Sequence, residues 1–390
     1  MGPSDVEPPP EALEIPRFLD LSALVAKKSH FLFGPRQTGK STLIRRSLPN
    51  VRVYDLLEST VFLRLSQNPG RLGEELGPRD RTVVIDEIQR LPELLNEVHR
   101  LIETRRIHFL LTGSSARKLR RGGVNLLGGR ARTKYIHPLT SRELGPRFDL
   151  SRALSRGLLP AIYFSDDPRA DLEAYVGTYL QQEIVAEGAT RNIPAFSRFL
   201  TVAALCNATI VSFTNVASDA QVARTTVHEY FEILRDTLLL YEIPAWRKSV
   251  KRKPLVSSKY YFFDIGVVGL LQGREFRPRT PEFGEAFETY LLHELVSWRD
   301  YVSGQPISYW RSTSGFEVDF VIGDHTAIEA KGKSNVTPQD LRTLRALAEE
   351  QKLKRYLCVS LEERLRLVEG IEVLPLREFL EGLWGGEYSR

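Results

Sequence analysis

The front of the chain alternates short apolar runs with segments of helical character. Apolar or β-favouring residues fill 30–33, 82–85 and 107–111, and each run ends in glycine or polar residues. Apolar residues at helical spacing follow the first run, which predicts strands alternating with helices around a parallel sheet. The carboxyl ends of such strands meet at one edge of the sheet, where ligands bind.

The middle of the chain reads as helical and then β-rich. Apolar residues recur at helical spacing over 168–188, which predicts a helical connector. A short helix over 214–218, a turn and a second helix over 223–236 form the pattern of a helix-turn-helix. Two β-rich runs, 238–243 and 259–263, flank a basic connection, which predicts a winged helix.

The last part contains an amphipathic helix and a predicted hairpin with its loop at 323–325. With this loop length, Asp319 lies opposite Glu329 and Glu317 lies opposite Lys331. Two opposed carboxylates repel each other across a strand pair, and a divalent cation between them would remove that cost. The alternative is that Lys331 neutralises both glutamates and that no metal is needed.

The segment after the first predicted strand has the spacing of a phosphate-binding P-loop and runs into a helix. Its glycines let backbone amides surround phosphate oxygens, Lys40 would reach the β- and γ-phosphates, and the Ser41 hydroxyl would hold Mg²⁺. The predicted nucleotide-binding residues are Gly34, Pro35, Arg36, Gln37, Thr38, Gly39, Lys40, Ser41 and Thr42.

Acidic and hydroxyl residues stand at the ends of the next two predicted strands. Asp86 is the second predicted Mg²⁺ residue, and Glu87 is the candidate base that orients the attacking water. Helix capping by the two acids is the alternative. Thr112 and Ser114 are candidate sensors of the γ-phosphate, and ordinary turn chemistry is the other explanation for them.

Composition narrows the class of protein. The 390 residues, 42% of them hydrophobic, can supply several cores, and no run approaches the roughly 18 apolar residues of a membrane helix. The acidic, proline-rich start lacks a signal pattern, so we expect a cytoplasmic protein with a disordered leader at 1–18. Two distant cysteines support neither a disulfide framework nor a zinc site.

The net charge of +5 is unevenly distributed. Seven Lys or Arg and no acids lie within 115–134, and six lie within 243–263, so the rest of the chain carries −8. Such patches predict anionic partners, here DNA. The candidate DNA contacts are Arg224, Thr225, Thr226 and His228 at the start of the second helix, and Arg247, Lys248, Lys251, Arg252 and Lys253 in the basic connection. A protein-binding module with a solvated loop is the alternative.

Four segments, GPRQTGKSTL, VVIDEIQRLPEL, LLTGSSARKL and LLGGRARTKYIHPLTSREL, resemble prokaryotic AAA-type ATPases that carry a C-terminal domain with a restriction-endonuclease-like portion. The resemblance implies a homo-oligomer, such as a hexameric ring, in which Arg130 reaches a neighbour's nucleotide. Arg132 is the second candidate, and a solvent-facing or DNA-facing Arg130 is the alternative.

The C-terminal acids also resemble a family pattern. Glu288 on the helix, Asp319 on one strand, and Glu329 with Lys331 on the next resemble the core of PD-(D/E)xK nucleases. The resemblance implies that these carboxylates bind Mg²⁺ or Mn²⁺ and that the lysine assists the chemistry.

The predicted fold class is α/β, with a P-loop AAA-type ATPase domain at 19–150, a helical connector at 151–205, a winged helix at 206–275 and a restriction-endonuclease-like α/β domain at 276–390. The predicted function is a DNA-stimulated ATPase that acts as a helicase, translocase or branch-migration motor, with ATP and Mg²⁺ as cofactors and no membrane contact. The alternatives are an ATP-regulated metal-dependent DNA nuclease and a nucleotide-controlled switch that binds DNA or protein.

Overall fold

The computed structural model describes residues 15–115, 117, 119, 127–180 and 192–388. Residues 1–14 of the predicted leader, part of the connector helix and part of the first basic segment lie outside these ranges. Residues 15–18, which the sequence assigns to the leader, are packed against the domain: Ile15 is buried, and the Arg17 guanidinium donates to Glu143 at 2.9 Å.

The first domain is built on a five-stranded parallel sheet with the order β2-β3-β4-β1-β5. Its strands are β1 Ser29–Phe33, β2 Arg52–Asp55, β3 Thr82–Asp86, β4 His108–Gly113 and β5 Ala131–Tyr135. Its helices are α1 Leu21–Lys27, α2 Lys40–Ser47, α3 Ser59–Gln67, α4 Arg71–Glu75 and α5 Leu94–Arg105. Phe31 and Phe33 face one apolar cluster and Leu32 faces the other, because the central strands are covered on both sides.

The second part consists of helices around a small antiparallel sheet. The helices are α6 Ser141–Leu144, α7 Leu150–Arg156, α8 Pro160–Tyr163, α9 Pro168–Ala174, α10 Ile193–Leu205, α11 Phe213–Ala220, α12 Arg224–Asp236 and α13 Ile265–Gln272. The strands β6 Thr209–Ile210, β7 Leu240–Ile243 and β8 Lys259–Phe262 take the order β6-β8-β7. Phe199 of α10 contacts Tyr230 and Phe231 of α12, so α10 packs against α12.

The third part is a six-stranded mixed sheet with the order β13-β14-β12-β11-β10-β9. Its strands are β9 Ile307–Arg311, β10 Glu317–Ile322, β11 Thr326–Lys331, β12 Arg355–Ser360, β13 Arg366–Val368 and β14 Ile371–Pro375, and its helices are α14 Pro281–Trp298, α15 Arg342–Ala348 and α16 Leu376–Trp384. Phe320 pairs with Ile328 and Val321 with Ala327, so the predicted hairpin register is confirmed over 320–322.

The loop between β7 and β8, residues 244–258, lies along the outer edge of the third sheet. Ala245 pairs with Tyr309, and Pro254 pairs with Ser312. The amide of Trp246 donates to the Tyr309 carbonyl at 2.6 Å. The loop therefore covers the free edge of β9, which would otherwise expose unpaired backbone groups.

The second and third parts share one continuous apolar core. Phe231, Tyr261 and Phe320 belong to the same buried cluster, although they come from α12, β8 and β10. Within the described residues, no helix combines the length and the apolar character needed to cross a bilayer.

Candidate functional site

The P-loop lies between β1 and α2 and is held by close backbone contacts. Gly34 has no room for a side chain, because a Cβ atom there would lie 2.3 Å from the Ile136 carbonyl oxygen. Gly39 adopts a φ of +89°, a left-handed conformation that favours glycine. The Thr38 hydroxyl donates to the Pro35 carbonyl at 2.8 Å and closes the loop. This compact turn suits a loop whose amides surround phosphate.

Lys40 begins α2 with its side chain buried in the loop. Its ammonium group donates to the carbonyl oxygens of Gly34 at 2.7 Å and Pro35 at 2.9 Å. The positive charge is thus held beside the backbone that would surround a phosphate. Arg36 is partly buried, whereas the remaining loop residues Gln37, Ser41 and Thr42 are exposed.

Asp86, at the end of β3, faces the start of α2. The Ser41 hydroxyl donates to one Asp86 carboxylate oxygen at 3.1 Å, and the Thr112 hydroxyl donates to the other. Hydroxyl and carboxylate oxygens are ligands that Mg²⁺ uses together with substrate phosphates. Ser41 and Asp86 therefore fit a Mg²⁺ ion bound with a nucleotide. Thr112, the predicted sensor, contacts Asp86 in this structure.

Glu87 follows directly and is also buried. Its φ of +58° turns the chain away from β3 and into a short helix. Burial raises the pKa of the Glu87 carboxyl, while the nearby Lys40 ammonium opposes the rise. A carboxylate of raised pKa takes a proton from water more readily, as a general base must.

Gln89 is a buried residue of this site that the sequence interpretation missed. Its side-chain amide donates to the Glu87 carboxylate and, at 3.2 Å, to the Ser114 hydroxyl. Gly113 makes room for it, since a Cβ atom there would lie 2.3 Å from the Gln89 oxygen. Gln89 therefore contacts Glu87 directly and links it to Ser114. The signal in the sequence that could have identified Gln89 is its polar side chain two positions after Glu87.

Arg130 lies at the sheet edge opposite the P-loop. It precedes the first residue of β5, whereas the P-loop follows the last residue of β1, and the two strands are parallel. Its guanidinium pairs with Glu103 near the end of α5. Arg130 is therefore remote from the nucleotide site of its own copy. Arg132 is exposed on β5, an outer strand of the sheet.

The start of α12 presents most of the predicted DNA contacts to solvent. Gln221, with a φ of +55°, separates α11 from α12, and the buried Val216 and Val227 join the two helices to the core. Arg224, Thr225 and His228 are exposed, and Thr226 is partly buried.

The five predicted cations of the β7–β8 loop have different environments. The Lys248 ammonium contacts the Asp324 carboxylate at 2.5 Å. Arg252 is partly buried, and its guanidinium contacts Glu349 at 2.6 Å. Arg247, Lys251 and Lys253 are exposed. Lys248, which is also exposed, and Arg252 therefore pair with acids of the third part, and the other three cations face solvent.

The C-terminal acids predicted to bind a metal come together in a buried cluster. The Asp319 carboxylate accepts the Ala330 amide at 2.8 Å, and the Lys331 ammonium donates to Glu329 at 2.6 Å. Burial and the nearby Glu288 raise the pKa of Asp319 well above its usual range. Burial likewise raises the pKa of Glu329. This is the environment of carboxyl groups whose charges are incompletely neutralised.

Lys259 of β8 enters this cluster and was missed by the sequence interpretation. Its ammonium donates to Glu288 and to Glu317, each at 2.8 Å, and its side chain is 2% exposed. Burial alone would lower the pKa of Lys259, but Glu288 and the other acids raise it well above its usual value. The hydroxyl of Tyr261 also donates to Glu288, at 2.6 Å. A lysine thus pairs with Glu288, one of the acids that the nuclease interpretation assigns to a divalent cation.

The contacts of this cluster do not support the predicted metal. Among the residues that the structure describes, no three His, Cys, Asp or Glu side chains meet as a set that could hold a metal ion. Lys331 neutralises Glu329 but not Glu317, which pairs with Lys259 and Arg311. The observed contacts are therefore closer to the alternative in which a lysine, and not a metal, neutralises the acids. The main cation is Lys259, whereas the sequence suggested Lys331.

A buried histidine joins the three parts of the chain. The His137 ring, just after β5, contacts the Tyr241 hydroxyl of β7 at 2.9 Å and the Asp300 carboxylate at 2.8 Å. Its carbonyl oxygen accepts from Arg17 at 2.6 Å, and the same guanidinium donates to the Thr38 carbonyl of the P-loop. A continuous hydrogen-bonded path thus runs from the P-loop to the second and third parts.

Matches to protein families divide the chain into three segments that are close to the three parts of the fold. Residues 26–145 match the AAA domain family, 147–277 match a domain of unknown function (DUF8612), and 283–379 match another domain of unknown function (DUF4143). Uncharacterized protein Rv2008c of Mycobacterium tuberculosis and Mb2031c of Mycobacterium bovis are each 27% identical over 364 residues, covering 90% of this chain and 80% of theirs.

A solved structure, the Walker-type ATPase paby2304 of Pyrococcus abyssi, is 15% identical with a TM-score of 0.43, and the match covers 65% of this chain and 93% of that one. The geometry of the P-loop and the family match agree on the first domain. Residues 26–145 are therefore similar to P-loop ATPase domains of the AAA type.

Proposed function

We propose that this chain hydrolyses ATP and uses the energy to remodel or move along bound DNA, as a helicase, translocase or branch-migration enzyme does. The observation that carries the ATPase step is the convergence of Lys40, Ser41, Asp86 and Glu87 on one P-loop. Lys40 would hold the phosphates, Ser41 and Asp86 would hold Mg²⁺, and Glu87 would take the proton of the attacking water.

The DNA-binding part of the proposal rests on α12 and the β7–β8 loop. A helix-turn-helix contacts DNA with the first residues of its second helix, and Arg224, Thr225 and His228 are exposed there. The order of helices and strands in this part supports a winged helix, with residues 244–258 as the wing.

The assembly is a homo-oligomer in this proposal. Arg130 lies too far from its own P-loop to act there, whereas a neighbouring copy could bring it to a nucleotide. An arginine supplied in this way stabilises the charge that develops on the transferred phosphoryl group.

A second candidate is a nucleotide-controlled switch that binds DNA or protein without stepping. The hydrogen-bonded path from Thr38 through Arg17 and His137 to Asp300 favours this switch. A movement of the P-loop would alter these hydrogen bonds, which lie where the three parts of the chain meet. Nuclease activity receives no such support, since Lys259 lies among the acids that would bind the metal.

The test of the proposed function is the ATPase rate with single-stranded, duplex and four-way DNA, together with particle size. We expect DNA to raise the rate and strand displacement or junction migration to accompany it. An ATPase rate that DNA leaves unchanged, with no displacement, would favour the switch over the motor.

Replacing Arg224 by alanine should weaken binding to duplex DNA by about tenfold, because one arginine contact is worth roughly 1–3 kcal/mol. Fluorescence anisotropy at constant salt would measure the change. The control is Arg377→Ala on α16, where an 89% exposed arginine lies far from α12 in the chain. Equal affinities of the two variants would remove α12 from the proposed DNA interface.

A further inference from the structure

Three successive backbone amides in the β7–β8 loop converge on one carboxylate. The N–H groups of Val250, Lys251 and Arg252 donate to Glu350 at 2.6, 2.7 and 2.9 Å. Successive amides that point into one concavity form an anion-binding arrangement, which is equally suited to phosphate oxygens. The loop thus has a built anion site, and Glu350 fills it.

Two further carboxylates engage the side chains of the same loop. Asp324 accepts from the Lys248 ammonium at 2.5 Å and from the Trp246 indole at 3.0 Å. Glu349 accepts from the Arg252 guanidinium at 2.6 Å. Asp324, Glu349 and Glu350 all belong to the third part of the chain, which therefore pairs with several positive groups of the loop.

Cations that are paired with the third part alternate along the loop with cations that are not. Arg247, Lys251 and Lys253 are exposed, whereas Lys248, which is also exposed, pairs with Asp324, and the partly buried Arg252 pairs with Glu349. A single loop therefore offers its solvent-facing charges to an outside anion while its other positive groups are turned toward Asp324, Glu349 and Glu350.

We propose that the β7–β8 loop is a binding surface for the phosphate backbone of nucleic acid, and that Asp324, Glu349 and Glu350 cover part of it as internal substitutes for phosphate. This inference rests on the DNA-binding function proposed above. Nucleic acid and the third part of the chain compete for the same amides and cations. Release of the loop would free Lys248 and Arg252 from their ion pairs and open the amide site, next to the cations that are already exposed and unpaired with the third part.

Two of the three covering acids can be removed without disturbing the core. Asp324 and Glu349 have side chains 56% and 57% exposed, so solvent screens their ion pairs, which contribute little to stability. Glu350 is buried and is left in place, because its loss would remove the acceptor of three backbone amides.

The test compares Asp324→Asn/Glu349→Gln with a matched control, Asp166→Asn/Glu363→Gln, in which the same charges are removed from exposed positions. Hydrogen exchange at residues 250–252, without DNA, reports whether the loop is released. Binding of a short duplex across a salt series reports affinity and the number of phosphate contacts. All measurements use the full chain.

We expect faster exchange at 250–252, about fivefold or tenfold tighter duplex binding at low salt, and a log–log salt slope steeper by about two, since each phosphate contact contributes about 0.9. Adding Lys251→Gln/Lys253→Gln to Asp324→Asn/Glu349→Gln, the uncovered variant, should remove the gain in affinity. Tighter binding by the uncovered variant itself, even where the wild-type chain binds no DNA, would also support the inference.

Equal exchange and equal affinity in the two double variants would overturn the inference, while the proposed function stands if the wild-type chain still binds DNA. If the uncovered variant releases the loop but gains no affinity over the control, the phosphate assignment is wrong. If neither variant nor the wild-type chain binds DNA, the inference and the DNA-binding function both fail.

Discussion

Replacing Glu87 by glutamine should lower ATP turnover by about 10²–10⁴-fold, which is the usual contribution of a general base. Binding of ATP should change little, because Lys40, Ser41 and Asp86 remain in place. Glutamine preserves the size of the side chain and the contact with Gln89 but cannot accept the proton of the attacking water. Phosphate release under saturating ATP and nucleotide binding by calorimetry would measure the two effects separately.

The pH dependence adds a check on this assignment. Because burial raises the pKa of Glu87, the wild-type rate should fall as pH drops through that raised value, where the base becomes protonated. The glutamine variant should lack this decline. The control is Glu363→Gln, at an exposed position in the third part. Turnover by Glu87→Gln at the control's rate would show that another group acts as the base.

Replacing Lys259 by methionine should destabilise the third part by about 3–5 kcal/mol at neutral pH, because removing one partner of a buried ion pair leaves the other charge uncompensated. Lys259 contacts both Glu288 and Glu317, and Asp319 is close enough to affect its charge. Urea unfolding followed by fluorescence would measure the loss.

The deficit of Lys259→Met should shrink as the pH is lowered. Burial already raises the pKa of Asp319 in the folded chain, and loss of the nearby Lys259, whose charge lowers it, would raise it further. A carboxyl with a folded pKa above its unfolded value takes up protons on folding, so its penalty is full above the folded pKa and disappears below the unfolded one, about 4. Lys259→Arg should retain most of the stability.

The matched control for this experiment is Lys352→Met, at an exposed position before β12. If Lys259→Met and Lys352→Met unfold at the same urea concentration at neutral pH, the ammonium group does not neutralise the cluster. A stability difference that grows at low pH would contradict the charge argument in particular.

The P-loop, the strand ends and the hairpin register could be predicted because each depends on residues close together in the sequence. Asp86 and Glu87 follow an apolar run that had to be a central strand, and the register at Phe320 and Ile328 follows from the length of the hairpin loop. Such local rules hold whatever the rest of the chain does.

The contacts that were not predicted from the sequence join residues far apart in the chain. Lys259 lies on β8, and nothing in its surroundings in the sequence indicates that it meets Glu288 and Glu317 of the third part. The basic loop was expected to face DNA, yet Glu350 binds its backbone amides. Periodicity and charge counts describe single segments, so they do not show which segments dock on one another.

Two residues near the P-loop, Gln89 and Arg17, show a similar limit of prediction from sequence. Gln89 could be seen in the sequence, but its role depends on the space beside Gly113 on another strand. Arg17 was assigned to a flexible leader because the residues before it are acidic and rich in proline. Its guanidinium instead joins the Thr38 and His137 carbonyl oxygens.

Calorimetric titration of the nucleotide-free chain with Mg²⁺ and ATP, beside Lys40→Ala, tests the central claim most directly. We predict one ATP per wild-type chain and an affinity at least about tenfold weaker in the variant, since a hydrogen bond to a charged group is worth roughly 1.5–3 kcal/mol. A wild-type chain that takes up no nucleotide, or a variant that binds it equally well, would contradict the assignment of this loop as the ATP site.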